Sequence, residues 1–71
     1  MSFADEHGMS AEDFEALKAQ TRKVVDGLFE QGGYPAIERA YHSFDILIEV
    51  STLTVEQSYL RMVLGNILVM A

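Results

Sequence analysis

Leu28-Phe29-Glu30-Gln31-Gly32-Gly33-Tyr34-Pro35-Ala36-Ile37-Glu38 is the stretch that decides how this chain folds. Glycine enters the backbone conformations that close a helix, and Pro35 suits the first turn of the next one, where its missing amide hydrogen costs nothing. A connection of only about two to four residues makes the flanking helices antiparallel neighbours. The spacing therefore predicts a helical hairpin that turns at Gly32-Gly33.

Upstream of the turn, Phe14, Leu17, Thr21, Val24 and Leu28 alternate steps of three and four, which is one clean helical seam, and Val25 and Phe29 widen it. Ser10 can cap the free amides at its start, with Glu12 and Asp13 placing negative charge at the positive end of the helix dipole. Ser10 to Asp13 is a capping-box variant with the shorter carboxylate. The first helix is expected from about residue 11 to 31, some 30 Å long. Residues 1–9 show no periodicity and read as a flexible tail, which leaves 10–71 as a single helical dimerisation domain. Gly27, inside the first helix, either permits close helix approach or is a tolerated cost of up to about 1 kcal/mol.

Downstream, two apolar rows run at helical spacing. Ile46, Val50, Leu53, Leu60, Leu64, Ile67 and Ala71 form one, interrupted only by Gln57. Ile37, Tyr41, Phe44, Ile48, Val55, Met62 and Val69 form the other, roughly 160° around the helix. The segment Ser51-Thr52-Leu53-Thr54 favours caps over helix interiors, and Thr54 to Gln57 reads as a fresh capping box. Both rows nevertheless keep their phase across it, which favours one continuous second helix of about 54 Å, well beyond the reach of the first. A helix that is apolar on two sides needs two neighbours, and each exposed Leu or Ile would forgo roughly 1.5–3 kcal/mol of burial.

The expected fold is therefore all-α: an antiparallel helical hairpin of a short and a long helix, the long one breaking near 51–54 if anywhere, dimerising into a four-helix assembly. Ile46, Val50, Leu53, Leu60, Leu64 and Ile67 are the expected dimer interface. The small residues Ser51, Ser58 and Gly65 either let another helix come close or make room for side chains of the first helix.

Composition narrows the function. A chain of 71 residues, 49% hydrophobic and 23% charged, is globular, but a core this small rarely contributes more than about 3–5 kcal/mol of net stability. Self-association is a usual remedy. There is no cysteine for a disulfide or thiolate metal site, in keeping with a reducing cytoplasm, where the protein is expected. The net charge of −6, with Lys18, Arg22, Lys23, Arg39 and Arg61 as the only basic residues, argues against nucleic acid as a partner. Met1–Met9 lacks the apolar core of a secretory signal, and the apolar run 62–71 is about half the ~20 residues of a membrane span, so no membrane partner is expected.

Glu38, His42, Asp45 and Glu49 step along one polar flank, but neither a Glu-x-x-His pair nor His-Glu-x-x-His occurs, so no metal and no cofactor is expected. No nucleophile has a base and an oxyanion loop beside it, so no enzyme is expected either. Tyr34 and Arg39 are the residue types that dominate protein-binding hot spots, and with Glu38 and His42 they form the expected partner-binding surface. The reading that follows is a non-enzymatic regulatory or adaptor protein that acts as a homodimer, blocking or tethering a protein partner. Two alternatives stand beside it. One is a ligand-binding oligomer that grips an anion with Tyr34, Arg39 or the Lys18, Arg22, Lys23 group; the other is a helix-turn-helix DNA binder, although the segment after Gly33 offers that role little beyond Arg39.

Overall fold

The computed structural model describes residues 3–70, which form three helices: α1 (Phe3–Glu6), α2 (Ala11–Val50) and α3 (Val55–Met70). Taken straight, the 40 residues of α2 would span about 60 Å. The longest dimension of the molecule is 33 Å, so α2 is folded back on itself. The fold lies at Gly33, where φ is 64° and ψ is −147°, a region that side-chain-bearing residues enter only under strain. Phe14 and Asp45 both reach the amino-terminal half of α3, through Tyr59 and Arg61, so the two arms of α2 run in opposite directions. The glycine turn and Pro35 thus make the expected hairpin.

The helix does not continue through 51–54, and the expectation of an uninterrupted second helix is corrected here. Val50 ends α2, Ser51 is extended (φ −157°, ψ 169°) and α3 begins at Val55. The break is held by a reciprocal capping box. The Thr54 amide donates to Gln57 Oε1 at 2.9 Å, and the Gln57 amide donates to Thr54 Oγ1 at 3.1 Å. On the other side the Ser51 amide still donates to the Leu47 carbonyl at 2.9 Å. Phase failed as a guide because four residues nearly replace one helical turn of about 3.6, so a break of this length leaves both rows almost in register.

The turn sends α3 back onto α2. Ile37 and Leu64 are fully buried and meet Val25, with Leu60, Ile67 and Phe44 packed against them. Cover for Leu60, Leu64 and Ile67, expected from a second chain, thus comes from the chain's own hairpin. Ile46 and Val50 remain 56% and 79% exposed, Leu53 is half-buried, and Ala71 lies outside the described residues. A Cβ on Gly65 would stand 3.1 Å from the Tyr41 ring, so the missing side chain there admits an aromatic from the second arm of α2, not from the first helix. Gly27 meets open space and serves no close approach.

Residues 3–9, read as a tail, carry one helical turn. Phe3 stacks on His7 with centroids 4.2 Å apart and meets Tyr59 of α3 edge-on at 5.0 Å, while Phe14 meets Tyr59 at 5.4 Å. Ala4, in the same turn, is buried.

Two glycines separate the roles of backbone and space. Gly33→Ala is expected to destabilise the fold by about 1–3 kcal/mol, whereas Gly27→Ala is expected to stabilise it by up to about 1 kcal/mol. Leu64→Ala, which empties the centre of the core, is expected to cost about 2–5 kcal/mol. Urea denaturation of the three variants checks all three values.

Candidate functional site

After Pro35 the second arm of α2 is regular, so residues three and four apart share a face. Pro35, Glu38, Arg39, His42 and Ser43 do so and line an open depression of about 470 Å³. Three of the four residues expected to bind a partner are therefore in one place, and the fourth, Tyr34, precedes Pro35 directly and is 51% exposed. The Tyr34 ring meets Phe29 edge-on at 5.3 Å across the turn. A Cβ on Gly32 would lie 3.4 Å from the Arg39 guanidinium, so Arg39 reaches back over the same turn. Ser43 Oγ donates to the Arg39 carbonyl at 2.9 Å. Pro35 and Ser43 were not among the residues expected to bind a partner, although their helical spacing to Arg39 is the signal that could have found them.

The row Glu38, His42, Asp45, Glu49 does not act as one flank. Asp45 turns to α3 and accepts from Arg61 Nε at 3.1 Å and Nη2 at 2.7 Å. The same guanidinium lies 5.0 Å above the Tyr41 ring. The hydrogen bond to Asp45 is the largest influence on Arg61 and raises its pKa, so the cation is held charged. With Asp45 withdrawn, the depression keeps one cation, one carboxylate and one imidazole. Among the described residues, no three His, Asp or Glu side chains converge as a metal ion requires.

The basic group on the first arm is also committed in part. Lys18 pairs with Glu15 at 2.7 Å and lies 5.0 Å over the Phe14 ring. Its hydrogen bond to Glu15 raises its pKa, so this pairing is complete at neutral pH and is lost only as the pH climbs past the ordinary 10.5 towards the raised value. Lys18 and Arg22 line a second depression of about 250 Å³ between the first arm and α3, but Asp26 faces it too and Lys23 is not among its walls. An anion would meet a carboxylate there.

No protein-family model, curated protein or solved structure matches the chain. Among the described residues, no helix is long and apolar enough to cross a membrane.

Arg61→Ala removes the partner of Asp45 and the cover of Tyr41 together, and is expected to lower the melting temperature clearly. His42→Ala, at an open position, is expected to change stability by no more than about 0.5 kcal/mol. Thermal melts followed by circular dichroism distinguish the two sites.

Proposed function

We propose that the protein is a small non-enzymatic regulator or adaptor that pairs with itself and binds another protein, blocking or tethering it. One observation carries this reading. Pro35, Arg39, His42, Ile46 and Val50 follow one another by three or four residues along the outer stripe of α2, polar at the turn and apolar at the far end. Apolar anchors beside groups that can form directed hydrogen bonds are the anatomy of a protein-binding surface. Ile46 and Val50, more than half exposed, gain from cover and suit a second copy of the chain. Tyr34, Glu38, Arg39 and His42, at the other end, suit the partner.

The partner's surface would be complementary to a mixed site: an acidic group to meet Arg39, a basic or amide group to meet Glu38, and an apolar edge for Tyr34. Action is by occupancy, through a stripe that offers a shape and a charge pattern.

Tagged protein is used to retain a partner from lysate of its source, beside a Tyr34→Ala/Arg39→Ala variant and an Ile46→Ala/Val50→Ala variant of equal melting temperature. The first variant is expected to lose the partner, with affinity about tenfold weaker or worse once the partner is purified. The second is expected to lose self-association at micromolar concentration. Equal retention by the wild type and the Tyr34→Ala/Arg39→Ala variant would end the assignment of this surface.

A further inference from the structure

The joint between α2 and α3 preserves helical phase although its backbone leaves the helix. Ile46, Val50 and Leu53 on one side and Leu60, Leu64 and Ile67 on the other would share a face if residues 51–54 were helical. Nothing local forbids that. The joint contains neither glycine nor proline, and no residue in it has positive φ. The Ser51 amide already makes the helical bond to the Leu47 carbonyl at 2.9 Å. Of the amides at the break, those of Thr54 and Gln57 are each met by the other's side chain, and in a continuous helix both would be met by carbonyls one turn back. Straightening the joint therefore gives up the two bonds of the capping box and replaces both with helical ones.

What α3 finds on α2 lies wholly across this joint: Leu64 against Ile37 and Val25, Arg61 on Asp45, and Gly65 beneath Tyr41. A second copy's α3 can make every one of these contacts, because the groove is already shaped by an identical helix. We infer that the chain dimerises by exchanging α3: residues 51–54 straighten, and each copy's α3 seats on the other's hairpin. This rests on the homodimer reading and gives it a geometry. The exchange remakes the Leu64, Arg61 and Gly65 contacts with α2, and it sets the two joints side by side. Ile46, Val50 and Leu53, the apolar residues that the closed chain leaves in or near water at this end, then meet their counterparts. Dimer formation rises with protein concentration.

Charge reversal at the Asp45–Arg61 ion pair across the joint tests this directly. Asp45→Arg alone and Arg61→Asp alone each set like charges against one another, whether the chain is closed or exchanged with its own kind. Only an exchanged heterodimer of the two variants restores both Arg–Asp contacts. Native mass spectrometry of a refolded equimolar mixture is expected to show heterodimer in excess over its binomial share. Binomial mixing would mean dimers that pair side by side, which overturns the exchange and leaves the homodimer standing; monomers alone at every concentration would overturn both.

Hinge variants decide the matter independently should Arg61→Asp fail to fold, because they leave the helix contacts intact. Ser51→Ala/Thr54→Ala removes the caps that favour the break and is expected to raise the dimer association constant by about tenfold. Thr52→Pro follows an extended Ser51, a conformation that suits the residue before proline, and it opposes a straight helix. Light scattering is expected to find that variant monomeric at concentrations where the wild type is a dimer. An undiminished dimer in Thr52→Pro would sink the exchange.

Discussion

Ile37 and Leu64 meet Val25 in a space closed to solvent, and the two turns of the chain exist to make that meeting possible. Without the bend at Gly33, Val25 and Ile37 would stand about 18 Å apart along one helix. Without the break at 51–54, Leu64 would lie beyond both. A fully buried Leu or Ile contributes roughly 1.5–3 kcal/mol, a large share of what so small a core can supply. The rest of the packing surrounds these three. Tyr41 lies along the glycine of α3, Arg61 covers Tyr41, and Asp45 holds Arg61 in place.

The readability of each feature followed how local its cause was. Gly33 and Pro35 act on their own backbone, so the hairpin could be read from their spacing. Thr54 and Gln57 were equally plain as a capping box, yet the phase of the apolar rows outweighed them, and phase could not tell a four-residue joint from a helical turn. The Asp45–Arg61 pair spans 16 residues and depends on α3 having turned back, so nothing in the spacing announced it. Phe3 is the plainest case. Its single helical turn has no period to detect, and its contact with Tyr59 exists only after the whole chain has folded.

The Asp45 pairing also changes what the polar flank is. A run of Glu38, His42, Asp45 and Glu49 suggests an acidic strip around an imidazole, and its steps of four, three and four do keep the row within about 60° of arc, but Asp45 lies at the edge of that arc nearest Tyr41 and reaches across to Arg61 of α3. Asp45 falls on the side that α3 covers, while Glu38 and His42 fall on the side left open. What remains is a mixed surface with Arg39 at its centre, suited to recognition by hydrogen bonds and shape more than by net charge, despite the −6 carried by the whole chain.

Site and fold share the turn at Gly32-Gly33. Tyr34 leans on Phe29 from across it, and Arg39 reaches back over Gly32. Both side chains expected to anchor a partner are therefore positioned by backbone that the core also needs, since the same bend sets Ile37 against Val25. An anchor held this way loses less conformational freedom on binding than one on a free loop, which favours the proposed surface in a chain of only 71 residues. The same sharing makes the turn intolerant of change, because any shift at Gly33 moves the core and the proposed partner surface together.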